Sequence, residues 1–350
     1  MKILSPERGG QKYPLHGYKV SVNRNFHMSD NFCPMRILVT GSGGYIGAHL
    51  IQELMQNNYE ILALSGRAPT KFSRLNQIGI RGIPGDTRNQ DFLEKVFSDF
   101  KPSVVVHLAG LKSPEESNSK NELYFNNNHK SLENVFNLAK QNNVKAFINA
   151  SSSAVYGDLD SSSIKETDTG NPSSNYGRIK KFGEEFLSHN NPGSINVCSL
   201  RLFNVIGSSS PSLKESAKFH LVPATVTRIK SGLPPIVYGW DLPTTDGTAI
   251  RDYVHIKDVT HVINRLVEIL IESGDFSQRN LILNVGSGHG TSVLKVVQLI
   301  QEFLGSDFEV VKRPARSGDP ISVVSDIARI SQLLDWKPRY SIEEMVSSSL

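Results

Sequence analysis

Tyr176 and Lys180 stand four residues apart, and Ser152 lies upstream in a run of three serines, Ser151, Ser152 and Ser153. On a helix this spacing puts the phenol and the ammonium on one face. A free phenol has a pKa of about 10 and is a poor base near neutrality. A neighbouring lysine cation, joined by a positively charged ligand ring, would favour the phenolate and lower that value. The Ser152 hydroxyl could then relay the proton. Taken alone, the Tyr–Lys pair also fits an ordinary surface helix, so its meaning depends on what accompanies it.

It is accompanied by a glycine loop. Residues 40–47 read TGSGGYIG, directly after a short apolar run and directly before a helical pattern. Gly41 suits a tight turn, Gly44 lets backbone approach a diphosphate, and Gly47 lets the helix pack close on the strand. The helix start offers free N–H groups and a positive dipole to phosphate. This context points to a bound dinucleotide with nicotinamide as its reactive end. The second strand of such a fold usually ends in an acidic residue that holds the adenosine ribose. Here it ends in Ser65, Gly66 and Arg67. Arg67 could pair with a 2′-phosphate, favouring NADP; alternatively Ser65 takes the ribose in an NAD site. Asp86 could accept a hydrogen bond from the adenine amino group, or cap the next helix.

The elements that must position these residues follow from periodicity. Residues 36–40, 59–64, 78–84, 104–108, 146–150 and 195–202 read as strands, and residues 48–57, 91–100, 132–141 and 176–188 as helices. Alternation of strand and helix implies an α/β fold, a doubly wound parallel sheet of Rossmann type. The alternation weakens near residue 206, at the serine-rich stretch 208–216. The expected organisation is a dinucleotide-binding domain over residues 35–205 and a smaller, mainly substrate-binding domain over 206–350, with segments around 250–290 returning to the first. Residues 1–34 lack a periodic apolar pattern and read as a disordered or appended extension.

Composition narrows the partners. The chain has 350 residues, 38% hydrophobic and 21% charged, with a net charge of +4. That charge is too weak and dispersed to argue for nucleic acid. No stretch approaches the ~20 apolar residues of a membrane span. The two cysteines, Cys33 and Cys198, give neither a metal-ligand spacing nor a disulfide framework, so no metal is expected. A reducing, cytoplasmic setting is the expectation.

The motifs together resemble the extended short-chain dehydrogenase/reductase superfamily and, within it, the UDP-glucose (UDP-galactose) 4-epimerases. The resemblance runs from Met35 to the C-terminus and is carried by VTGSGGYIGAHL (39–50), GDTRN (85–89), HLAGLKSPEES (107–117), YFNNNHKS (124–131), SSSAVYGD (151–158), NYGRIKKF (175–182), LRLFNVIG (200–207), DGTAIRDYVHIKDV (246–259), LNVGSGHGTSV (283–293) and RSGDP (316–320). It implies Tyr176, Lys180 and Ser152 as catalytic residues, and NAD as the cofactor. Gly41, Gly44, Tyr45, Ile46 and Gly47 would hold that cofactor, joined by Ser65, Arg67, Asp86 and Thr87. Leu108, Ala109, Gly110 and Lys112 would line it from the next loop, with Asn126 and Phe203.

On the substrate side the resemblance implies Asn204, His220, Leu221 and Tyr238, together with Lys112, Ser152 and Tyr176. Arg251 and Arg316 would grip the UDP diphosphate, Asp319 the uridine ribose, and Val323 would line the sugar pocket. A bulky residue at this last place restricts family members to glucose and galactose; valine is small, so N-acetylated sugars are expected to enter. The dehydratase branch needs an Asp-Glu pair after the serine or threonine, and Ser153 and Ala154 stand there instead. The implied reaction is oxidation of the sugar at C4 and re-reduction on the other face, in a homodimer. Two other readings stay open: an NADP-dependent reductase or epimerase of a different nucleotide sugar, and a non-enzymatic nicotinamide sensor.

Overall fold

A computed structural model describes residues 19–21, 34–66, 72–157, 159–191, 193, 195–272, 280–315 and 319–350. Arg67, Arg316, Cys33 and most of the N-terminal segment lie outside the described residues.

The strands are β1 Lys19–Ser21, β2 Met35–Thr40, β3 Tyr59–Ser65, β4 Ile83–Pro84, β5 Val104–His107, β6 Ala146–Ser152, β7 Ser161–Ile164, β8 Asn196–Leu202, β9 Asn204–Ile206, β10 Ile236–Tyr238, β11 Ile250–His255, β12 Asn280–Val285, β13 Gly290–Ser292, β14 Val311–Arg313 and β15 Ser322–Ser325. The helices are α1 Tyr45–Leu54, α2 Ser73–Gln77, α3 Gln90–Phe100, α4 Pro114–Ser119, α5 Asn121–Tyr124, α6 Ser131–Gln141, α7 Asn175–Asn190, α8 Leu221–Lys230, α9 Ile256–Glu272, α10 Val293–Leu304, α11 Ala328–Leu334 and α12 Ile342–Ser349. A wide π-turn, Phe125–Lys130, joins α5 to α6.

The main sheet runs β1-β3-β2-β5-β6-β8-β12, with β4 also on β3. All of its pairs are parallel except β1 on β3. Successive residues of each strand face opposite sides, and both sides are covered, so the central strands are apolar throughout. Ile37, Val39, Val104, Val106 and Ile148 face a cluster built with α1, α9 and α11. Leu38, Leu62, Val105 and Phe147 face the opposite cluster, built with α3, α6 and α7. Each fully buried Leu, Ile or Phe contributes about 1.5–3 kcal/mol. These two layers hold the carboxyl ends of β2, β3, β5, β6 and β8 in one row, where ligands of open α/β sheets bind.

The second sheet runs β13-β11-β15-β7, with β9 also on β11. Its helices α8, α10 and α12 enclose a third core around Tyr253, Val296, Ile300 and Val346. The chain crosses between the two sheets several times. The β7 strand lies inside the span expected for the first domain, yet pairs with β15 of the second sheet. The return to the main sheet is made by α9, β12 and α11, while β11 and β13 stay in the second sheet.

Three local expectations are corrected. Of residues 78–84, only Ile83 and Pro84 are strand. The helix α2 ends just before, and Gly79 at φ +74 turns the chain while Leu75 and Ile80 fill the apolar positions. Lys19–Ser21, within the segment expected to be unstructured, pair with Leu62, Ile61 and Glu60, because the outer edge of β3 is open there. The first helix begins at Tyr45 and stops at Leu54, short of residue 57. The final helix, α12, is closed by a Ser341/Glu344 capping box, and its Met345 and Val346 are buried.

Candidate active site

The glycine loop leaves β2 at Thr40 and enters α1 at Tyr45. Gly41 has φ +70, and a Cβ there would lie 2.7 Å from Ala109 N and from the Leu108 carbonyl carbon. A Cβ on Gly47 would lie 2.3 Å from the Gly41 carbonyl oxygen. Gly44 is the N-cap of α1, offers no side-chain acceptor, and no acidic residue occupies the first turn. The first N–H groups of α1 therefore stay free for an anion. A cradle this tight, opening on unpaired donors, fits a dinucleotide diphosphate.

The loop after β5 forms the opposite wall. Thr40 Oγ1 lies 2.9 Å from His107 Nδ1 and accepts from Ala109 N at 3.3 Å. Asn128 fixes the other end: its Oδ1 accepts from Leu111 N at 2.7 Å and its Nδ2 donates to Leu111 O at 2.8 Å. A Cβ on Gly110 would lie 3.1 Å from Asn128 Oδ1. Asn126, the residue expected to touch the cofactor, borders an open cleft with Asp86, Arg88 and Lys130. The π-turn inserts an extra residue per turn, and so brings Asn128 rather than Asn126 against the loop. Sequence reading missed Asn128; the run of three asparagines, 126–128, was the only signal.

At the rim, the Asp86 carboxylate is gripped by its own turn, with Arg88 Nε at 2.9 Å and Nη2 at 2.7 Å. Asn89, not Asp86, caps α3. Thr87 Oγ1 lies 2.6 Å from Ser131 Oγ. Ser65 is buried at the end of β3. Lys112 forms an ion pair with Glu215, which reaches in from the serine-rich loop. The Lys112 and backbone contacts of Glu215 hold its carboxyl below the usual range, although burial pushes the other way. The same loop is tied down by Tyr45 Oη donating to Gly207 O at 2.5 Å and by Arg74 Nη2 donating to Lys214 O at 2.9 Å.

The reacting residues come from β6 and α7. Ser174 caps α7 by accepting from Gly177 N. Gly177 lets the helix abut the turn after β6, because a Cβ there would lie 2.3 Å from Ala154 O. That contact brings Tyr176 beside Ser152, whose hydroxyl favours the phenolate. Lys180 Nζ lies 5.8 Å from the centre of the Tyr176 ring and donates to Ala150 O at 2.5 Å. Burial pulls the Lys180 ammonium down to about 8, with the Glu184 charge opposing. For Tyr176, burial opposes the lowering expected from Lys180 and a bound nicotinamide. Removal from water pushes the phenol up to about 12, and the Ser152 hydroxyl offsets only part of this.

Across the site, Ser152 is in register with Leu202, so Phe203 and Asn204 follow directly beside it. Phe203 is buried in a junction cluster with Val155, Tyr156 and Ile164, and Val323 packs on the same cluster. Val323 pairs with Arg251 on one side and Ser161 on the other. Arg251 Nη1 donates to Ile250 O at 2.9 Å and weakly to Ile321 O at 3.5 Å, and Asp319 lies within its field. His220 is the N-cap of α8, directly before Leu221, and burial lowers its ring to about 4, leaving it neutral. Tyr238 is 41% exposed on the small β10–β14 ribbon.

A Rossmann sheet with this glycine cradle and a Tyr–Lys–Ser set at its carboxyl edge defines a nicotinamide-dependent enzyme of the short-chain dehydrogenase/reductase class. The chain belongs to the NAD dependent epimerase/dehydratase family, whose model matches residues 37–286. It is 31% identical over 327 residues to a UDP-glucose 4-epimerase of Pisum sativum, covering 89% of this chain and 93% of that one. Among solved structures it resembles the UDP-glucose 4-epimerase of Stenotrophomonas maltophila with bound NAD and formylated UDP-arabinopyranose. That match has a TM-score of 0.83 and 28% identity, over 90% of this chain and 96% of the other. It also resembles the UDP-Glc/GlcNAc 4-epimerase of Campylobacter jejuni, with a TM-score of 0.78 and 27% identity, over 90% and 98%. Among the described residues, no helix is long and apolar enough to cross a membrane.

Proposed function

We propose that this chain is an NAD-dependent UDP-sugar 4-epimerase acting on UDP-glucose and UDP-galactose, and on UDP-GlcNAc and UDP-GalNAc as well. The observation that carries the reading is Tyr176 beside Ser152 with Lys180 5.8 Å from its ring, set opposite the glycine cradle. The first turn of α1 and the loop held by Asn128 hold the NAD. When bound, NAD supplies a hydride acceptor, and then a hydride donor, at sugar C4.

Tyr176 takes the proton of the C4 hydroxyl through its contact with Ser152, and gives it back when the sugar is reduced. Lys180, held by Ala150 O, places its positive charge beside the phenolate. Arg251 and Arg316 keep the UDP diphosphate in place while the flat 4-keto sugar turns over. Asp319 would receive the uridine ribose, and His220 would contact the substrate. Hydride leaves and returns, so no net redox change occurs. No carboxylate stands at Ser153 or Ala154, so dehydration has no acid or base there. Glu184, which reaches Ser151, is locked by Arg201. Purified protein given UDP-galactose and no added cofactor should form UDP-glucose, read by NMR. Inert protein that turns over only with added NADPH would favour a reductase.

The reading includes a homodimer. Phe182 is 49% exposed on α7, and a ring cluster of Phe125, His129 and Phe186 backs it, with the His129 and Phe182 rings 4.4 Å apart. Sedimentation should give the mass of two chains, and Phe182→Glu should give one; a monomeric parent protein would remove this part. A cytosolic setting goes with the free, buried Cys198 thiol, and cell fractionation tests it.

A further inference from the structure

Glu184 is a buried carboxylate that the reaction above does not use, and it sits one helical turn beyond Lys180. It joins the two elements that carry the reacting groups. Its Oε1 accepts from Ser151 Oγ, next to Ser152 on β6. Its two oxygens accept from Arg201 Nε at 3.1 and 3.2 Å and from Nη2 at 2.8 Å. Arg201 lies in register with Ser151 on β8 and continues the network. Its Nη1 donates to Tyr156 Oη at 2.9 Å and to Glu166 O at 3.0 Å, and Tyr156 Oη donates to Asn284 Oδ1 at 2.6 Å.

We propose that Glu184 is a positioning residue for the epimerase reaction: its carboxylate ties β6 to α7, so that Ser152 and Tyr176 stay in contact, and its charge keeps Lys180 protonated. The proposal rests on the epimerase reading above.

The surroundings of Lys180 leave Glu184 as the anion that can do this. On its own helix Lys180 meets Tyr176 and Glu184. From β5 it meets His107, which burial and the Lys180 charge hold near 3, so the ring is neutral at working pH. Arg201 on β8 is paired with Glu184 itself. Tyr124, on α5, faces Tyr176 as a phenol whose pKa is raised by burial and by Glu116, so it brings no charge near neutrality. His129 of the π-turn stacks on Phe182 and Phe186 and is also held neutral by burial. Removal of the Glu184 charge therefore exposes Lys180 to desolvation with no other counterion beside it among the described residues.

The test is the pH dependence of kcat in Glu184→Gln, which keeps the shape and one acceptor oxygen but loses the charge. The high-pH limb, where Lys180 loses its proton, should move to lower pH by about half a unit or more. The rate at the optimum should fall about tenfold or more, with KM for the UDP-sugar nearly unchanged. A partly unfolded preparation scales the whole curve and does not move the limb. Ser151→Ala, which removes the strand-to-helix contact without unpairing a charge, covers the case in which Glu184→Gln does not fold. It should lower kcat several-fold with the limb in place. An unmoved limb in Glu184→Gln, or a parental rate in Ser151→Ala, overturns the proposal. An inactive parent protein would instead count against the epimerase reading itself.

Discussion

Tyr176→Phe should lower kcat by about 100- to 10,000-fold while the protein keeps its NAD. The range is that of a positioned acid/base group. Phenylalanine keeps the ring that packs 5.8 Å from Lys180 Nζ, so α7 has no reason to shift. It has no oxygen to receive the C4 hydroxyl proton. The cradle at Gly41 and Gly47 is built from backbone on the other side of the site, so cofactor content after gel filtration should match the parent protein. Burial, which pushes the phenol up to about 12, sets the same direction. Ionisation must be driven by the bound cofactor's charge and by Lys180, and a variant with no ionisable group cannot respond to either. Full activity in Tyr176→Phe would remove Tyr176 from the reaction. Loss of NAD together with activity would mean that the residue holds the cofactor instead.

Val323→Tyr should separate the two sugar classes. The valine lies on β15 between Arg251 and Ser161 and packs on the cluster that contains Phe203. A tyrosine there adds a ring beside Phe203 and Arg251, where the proposed site would hold the sugar. An N-acetyl group needs that space, and a hydroxyl does not. The expected fall in kcat/KM for UDP-GalNAc is about 10- to 100-fold, or ~1.4–2.7 kcal/mol, with UDP-galactose changed by no more than a few-fold. Steady-state rates on both substrates decide it. Equal losses on both would show that the residue supports the fold and does not gate the pocket.

Much of this was legible in the sequence because the relevant signals are local. A glycine loop between a strand and a helix, and a Tyr–Lys spacing of four, need no tertiary information to be read. The main sheet was legible for the same reason: strands buried on both faces are short apolar runs, such as Val104–His107. What escaped depends on contacts between distant residues, or on phase. Residues 78–84 mix apolar side chains with glycines, and such a short run does not tell a strand from a helix end. Asn128 escaped because its contact with Leu111 depends on the phase set by the π-turn, which the run of three asparagines does not reveal. The pairing of Lys112 with Glu215 spans 103 positions and leaves no sequence trace. The lysine neighbour of Tyr176 is visible in the sequence, whereas the burial that pushes the phenol up is not. The β7 strand carries no mark of the sheet it joins, because its partner β15 is far along the chain.

The most direct test of the central claim follows the hydride. UDP-galactose carrying deuterium at C4 is incubated in ordinary water with purified protein and no added NAD, and the product is read by NMR. The account predicts UDP-glucose with the deuterium still at C4, because hydride is taken and returned inside a closed site. Loss of the label to solvent, or no product without added cofactor, would contradict it.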